Sequence, residues 1–178
     1  MNPALVVLGY SEAAMFLRRE PAEKLAGLIS IHGRREFGVE AQVPRRLDLT
    51  FDDVEVPRPG DAWALQRAMS RKRWDAQNGL ELQAPTSPDA ASIIEFARSV
   101  RGTDGVLLCH CGGGMSRAPA AALICLAVWA GPDSEVECVE SIARVRQGAV
   151  PHAGLVRFAD ALLDRGGKLV DALSSQRR

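Results

Sequence analysis

The sequence carries no surplus of charge, since 22 Lys and Arg balance 22 Asp and Glu in 178 residues. Without a net field, average composition draws the chain neither to nucleic acid nor to a membrane surface, and any anion site must be assembled locally. Long apolar runs are also missing. The longest, Ala118 to Ala130, falls short of the roughly 20 residues that span a bilayer, so a soluble protein with no membrane partner is expected. No basic stretch precedes the apolar residues near Met1, which argues against a secretory signal and makes them a first strand. Cysteine is scarce and bunched: Cys109, Cys111, Cys125 and Cys138 make up the whole set. That is not the dispersed framework of a secreted disulfide protein; a reducing cytoplasm fits better.

Hydrophobic residues make up 47% of the chain, enough for one substantial core at this length. A single domain over residues 1–178 follows. "ALVVLG" and "GLISI" read as strands, with helix formers between them from Glu12 to Leu25. "RRLDLTF" alternates, setting Leu47, Leu49 and Phe51 on one face. A helix is expected from Asp89 to Arg101, then the buried strand "VLLCHC", a glycine-rich loop, and "APAAALICLAVWA", a helix apolar on every side. Ser134 to Glu137 matches a capping box, opening a helix with Val136, Val139 and Ile142 as its apolar stripe and Glu140 paired to Arg144 outside. A last helix runs from about His152 to Arg165, and the tail beyond about Asp171 is expected to fray. The alternation predicts an α/β, three-layer fold: a central, mostly parallel sheet of about four to five strands flanked by helices. Ligands of such sheets bind at the carboxyl ends of the strands.

One such end carries the chemistry. Residues 106–119 read VLLCHCGGGMSRAP: a thiol closing a buried strand, three glycines, and an arginine at the mouth of a helix. Glycines let successive N–H groups turn inward as an anion nest, and the helix N-terminus adds partial positive charge. Such a nest suits a dianionic phosphate or a sulfate, and favours a thiolate over a thiol. Arg117 is the residue type for the opposite rim, because a planar guanidinium holds two phosphate oxygens with parallel hydrogen bonds. Cradle and clamp can stabilise phosphoryl transfer without a metal or other cofactor.

The segment His110 to Arg117, H-C-x-x-G-x-S-R, resembles the H-C-x5-R signature of protein tyrosine phosphatases, and its place two-thirds along the chain resembles the dual-specificity branch. The resemblance implies a phosphocysteine intermediate on Cys111, phosphate held by Arg117 and by the backbone of Gly112, Gly113, Gly114, Met115 and Ser116, and loop support from His110. It implies phosphotyrosine in a protein as the default substrate, with phosphoserine, phosphothreonine or a small phosphoester as alternatives. A phosphoinositide phosphatase of this family would be expected to carry lysines in the loop, and Gly112 to Met115 has none. Where the family has Ser or Thr after the arginine, this chain has Ala118, which implies slower release of the cysteine. Ser116 is expected to cap the following helix rather than to replace that hydroxyl.

A leaving alkoxide or phenoxide needs a proton from a carboxylic acid on a neighbouring loop. Asp53 continues the phase of Leu47, Leu49 and Phe51 past the strand end and is the preferred acid, with Asp52, Asp61 and Asp75 as alternatives. Residues 58–88 read as an insertion. Within it Asp61 stands at the start of a helix reaching about Asn78, with Trp63 and Trp74 on one face. From Arg58 to Trp74 five basic residues stand against one acid. The tryptophans are expected to pack on the core, with the basic side facing water; a lid selecting anionic substrates is the alternative. Cys109, His110 and Cys111 do not make a metal site, because adjacent strand residues point to opposite faces. Cys109, Cys125 and Cys138 are expected to be small buried hydrophobes. A monomer is expected.

Overall fold

The structure is a computed structural model that describes residues 1–58 and 60–176; Pro59 in the 58–88 insertion and the last two residues of the tail lie outside the described residues. Four strands form one parallel sheet: β1 (Ala4–Gly9), β2 (Leu25–His32), β3 (Arg46–Thr50) and β4 (Val106–Cys111), in the order β1-β4-β2-β3. β4 is interior, and Gly9 pairs with Cys111 at its carboxyl end.

Two cores follow from the two-residue period of the strands. On one face Leu28 and Leu108 pack with Ala13 and Phe16 of α1 (Tyr10–Arg19). On the other, Val7, Ile29, Leu107, Cys109 and Cys111 meet a larger helical layer. That layer contains α3 (Ser87–Ser99), α4 (Arg117–Ala130), α5 (Glu135–Val145), α6 (Ala153–Leu162) and α7 (Lys168–Ser175). α4 lies between sheet and neighbouring helices, which explains why nearly all of its residues are apolar and buried. No helix among the described residues is long and apolar enough to cross a membrane.

Local chemistry accounts for several boundaries. α1 begins where the Glu12 carboxylate accepts a hydrogen bond from the Gly9 amide (2.7 Å). α3 starts two residues earlier than its apolar period suggested, because Thr86 and Asp89 close the capping box there, Thr86 N donating to Asp89 at 2.7 Å. The box expected at Ser134 does not form: the Ser134 hydroxyl turns back to the Gly131 carbonyl (2.6 Å). Val136, expected in the buried stripe, is exposed, while Cys138, Val139 and Ile142 are buried. The chain beyond Asp171 stays helical to Ser175 instead of fraying. The reason is Asp160, whose carboxylate accepts hydrogen bonds from the amides of Gly167 (2.7 Å), Leu169 (2.8 Å) and Val170 (3.3 Å), while Leu169 and Leu173 enter the core.

Within the insertion, α2 spans Ala62–Gln77. Trp63 and Trp74 are 76% and 54% exposed, so the expected packing on the core does not occur. The inward side of α2 offers Ala68 and Ala76 beside Arg71, Lys72 and Asp75, too little apolar surface to seat the helix on the core, and the tryptophans face away from it.

Candidate active site

The loop after β4 is closed against the end of β1. The Tyr10 amide donates to the Gly112 carbonyl (2.9 Å). Gly114 has φ +70°, and a Cβ there would stand 2.5 Å from the Gly9 nitrogen, so no side chain fits. Inside this turn the Gly114 amide donates to Cys111 Sγ at 3.3 Å. Cys111 is only 3% exposed and sits on the α4 side of the sheet. Gly112, Gly113, Met115 and Ser116 complete the loop, and Met115 is partly exposed at its rim.

Arg117 opens α4 and is 5% exposed. One terminal nitrogen donates to the Phe51 carbonyl (3.0 Å), and the other meets both oxygens of Glu36 (3.0 and 2.9 Å). Its Nε is buried and has no partner. The Arg117 terminal nitrogen lies within 3.3 Å of the Cβ position of Gly112, which places the guanidinium against the loop. Glu36 also accepts from the Gly33 amide (2.8 Å). Burial pushes its carboxyl up, but the Gly33 amide and the Arg117 charge outweigh that and hold it below the ordinary carboxylate range. Glu36 was invisible to pattern reading: it lies in the polar loop after β2, eighty-one positions from Arg117.

His110 points to the opposite face, where its Nε2 meets Ser30 Oγ at 2.8 Å and its Nδ1 makes no hydrogen bond of good geometry. Burial pushes the imidazole down to about 4, outweighing the opposing pull of the Cys111 backbone, so it is neutral at pH 7. Cys109, fully buried, is pushed well above the ordinary thiol range by its contact with Cys125 and by burial. Burial likewise raises Cys138. Neither thiol stands at the glycine loop, and both pack within the larger core.

The candidate acids separate by environment. Asp52 is tied to the backbone of Gln83, its amide donating to the Gln83 carbonyl (2.6 Å) and its carboxylate accepting from the Gln83 amide (2.8 Å). Asp75 is buried within α2 and paired with Arg71 (3.0 Å). Asp61 precedes α2, where its carbonyl accepts from the Leu65 amide (2.9 Å). Asp53 instead reaches the loop: the Ser116 hydroxyl donates to its carboxylate at 2.8 Å. The expected cap by Ser116 is therefore absent, because its hydroxyl is spent on Asp53. Beside Asp53 opens a cavity of about 1040 Å³ between α2 and residues 80–84. Three of the four basic residues that line it are matched by acids, Arg67 with Glu55 (3.5 Å), Arg71 with Asp75, and Arg34 with Glu81 (3.1 Å), and the fourth is Lys72. Of the five basic residues along 58–74, Arg67 and Arg71 are thus paired, which offsets part of the positive charge of that stretch.

A parallel four-stranded sheet, helices on both faces, and a cysteine loop running into a buried helix make up a protein tyrosine phosphatase-like fold. Two solved structures of PTPMT1 share the fold of this chain. The structure of PTPMT1 in complex with PI(5)P matches with a TM-score of 0.52 and 14% identity, covering 98% of this chain and 95% of that one. A second structure of PTPMT1 matches with a TM-score of 0.53 and 14% identity, covering 97% and 95%. At this identity the likeness establishes the fold. Compared by sequence, the chain matches no family model and no curated protein significantly.

Proposed function

We propose that the chain is a cysteine-dependent phosphatase of the protein tyrosine phosphatase superfamily, hydrolysing phosphomonoesters through a phosphocysteine intermediate. The observation that carries this reading is Arg117: a buried guanidinium with both terminal nitrogens anchored and Nε without a partner, set against a glycine loop that begins at Cys111. Glu36 already balances the charge of the guanidinium, and the buried Nε is left as a donor that lacks an acceptor, which is costly. A tetrahedral oxyanion in the loop supplies that acceptor.

In the first step the Cys111 thiolate attacks phosphorus, the bond to the ester oxygen breaks, and Asp53 gives that oxygen its proton. The loop amides from Gly112 to Ser116 and Arg117 hold the charge on the three remaining oxygens. In the second step water attacks phosphorus, Asp53 takes its proton, the S–P bond breaks and phosphate leaves. His110, neutral, supports the loop from the far face of the sheet. Ala118 supplies no hydroxyl to the departing sulfur, so this second step limits turnover.

Protein phosphotyrosine is the favoured substrate, supported by the resemblance of the loop and its lack of lysine between Gly112 and Met115. A lipid phosphoester is the second reading, favoured by the solved complex of PTPMT1 with PI(5)P. The protein acts as a monomer in the cytoplasm in this proposal. The test is hydrolysis of a chromogenic aryl phosphate with a chelator present, comparing the parent with Cys111→Ser, Arg117→Ala and Asp53→Asn. All three should lose activity, by about 100-fold or more, and turnover that survives Cys111→Ser ends the proposal. Phosphotyrosine peptides and phosphoinositide micelles, run side by side, decide the substrate.

A further inference from the structure

The segment that carries Asp53 has no regular structure, yet it is held from two sides. Upstream, Asp52 is bound through backbone and carboxylate to Gln83 (2.6 and 2.8 Å). Downstream, the next residues lie on the first two turns of α6. His152 Nε2 is 2.8 Å from the Val54 carbonyl. A carbonyl only accepts, so Nε2 carries the proton; Nδ1 accepts from the Leu155 amide at 3.2 Å and caps α6. The His152 amide donates to the Ser116 carbonyl (3.2 Å), so one residue joins the end of the phosphate loop to the segment behind Asp53. Its Nε2 also stands 3.9 Å from the Asp53 carboxylate. One turn on, Arg157 donates to the carbonyls of Val56 (3.2 Å) and Pro57 (3.0 Å). Between them, Gly154 leaves the space that Val56 fills: a Cβ at Gly154 would lie 2.6 Å from Val56 Cβ.

From this arrangement we infer that His152, Gly154 and Arg157 form a clamp on residues 54–57 that sets Asp53 over the phosphate loop before substrate arrives, so these three are positioning residues for proton transfer. The inference rests on the phosphatase reading for its consequence and on geometry alone for the clamp. The hydrogen bonds run from side chains of α6 and its N-cap to the carbonyls of Val54, Val56 and Pro57, which is how a scaffold holds a loop residue in working geometry. With the acid already paired to Ser116 (2.8 Å), closing a lid is not required to bring it to the site.

Two variants test the clamp by opposite means. His152→Ala removes two hydrogen bonds, whereas Gly154→Ala deletes no hydrogen-bonding group and instead crowds Val56 at 2.6 Å and the His152 ring at 3.1 Å, while adding a residue that favours helix. His152→Asn keeps the acceptor that caps Leu155, but its shorter amide does not reach the Val54 carbonyl, so it separates the cap from the clamp and should behave over residues 53–57 as His152→Ala does. The first measurement is amide hydrogen exchange over residues 53–57, which needs no turnover; it should quicken about 10-fold or more in both alanine variants, with β4 and α4 unchanged. The second compares phenyl phosphate, whose leaving group needs the proton, with dinitrophenyl phosphate, whose leaving group does not. The variants should lose about 100-fold in kcat/KM on the first and less than about threefold on the second. Unchanged exchange overturns the clamp. Equal losses on both esters in an active protein overturn the positioning role, whereas a parent that hydrolyses neither ester refutes the phosphatase reading and leaves the exchange result to decide the clamp.

Discussion

Glu36→Gln removes one negative charge from a guanidinium that is nearly out of reach of water. Arg117 would keep the Phe51 carbonyl on one terminal nitrogen, while the other would keep a single amide oxygen in place of the two carboxylate oxygens at 3.0 and 2.9 Å. A hydrogen bond to a charged group contributes about 1.5–3 kcal/mol. The Glu36 side chain is 42% exposed, so solvent screens part of the attraction, and the loss at pH 7 should be about 1–2 kcal/mol. For a domain of this size that lowers Tm by roughly 2–8 °C. The pH dependence identifies the cause. Glu36 is held below the ordinary carboxylate value of 4.5 in the folded chain, where the Gly33 amide and Arg117 outweigh the opposing effect of burial. Its contribution is therefore complete above that value and disappears as pH falls through the folded one. Urea unfolding of parent and variant from about pH 7 down to about pH 3 should show a stability gap that closes on acidification. A gap of constant size, or none at neutral pH, would mean that the carboxylate charge does not hold Arg117.

Other perturbations have equally defined outcomes. Gly114→Ala forces a Cβ to within 2.5 Å of the Gly9 nitrogen at φ +70°; denaturant unfolding should show a loss of about 2–4 kcal/mol, and a milder loss would mean that β1 can yield. His110, pushed down to about 4 by burial, binds its proton less readily folded than unfolded, so stability should fall between about pH 6.5 and 4, by up to about 3 kcal/mol, and His110→Gln should lack that component. Arg165→Ala leaves Glu135 buried without its partner at 3.2 Å and takes one of two donors from the Ala127 carbonyl, which keeps the Gly131 amide; about 3–5 kcal/mol should be lost, and a small effect would show that water reaches Glu135. Ala118→Ser should raise steady-state turnover of an aryl phosphate and shrink any burst of released phenol, and an unchanged burst would locate the slow step elsewhere.

The alternation of apolar and polar residues in the strands and the all-apolar face of α4 were legible because both periods act within a few residues. The same holds for His152 as a helix-start residue: its Nδ1 caps α6. Capping was read less well. Ser134 and Ser116 have the residue type and spacing of caps, yet each hydroxyl found a different acceptor, Gly131 and Asp53 respectively. The tryptophans of α2 illustrate the same limit: period places them on one face of a helix but does not say whether that face meets a core.

By itself the sequence determined the layered α/β arrangement and the linear order of the cysteine loop, since a thiol, three glycines and an arginine between a strand and a helix are contiguous and their chemistry is local. Only the tertiary structure decided which carboxylate faces the loop, which one anchors Arg117, and which helix grips the acid-bearing segment. Asp52 and Asp53 are adjacent and chemically alike; the pairing of Asp52 with Gln83 and of Asp53 with Ser116 separates them. Glu36, Phe51, Ser116 and His152 lie far apart along the chain. Their distances from one another come from how the sheet orders its strands and how α4 and α6 pack on it, which no periodicity within a segment encodes.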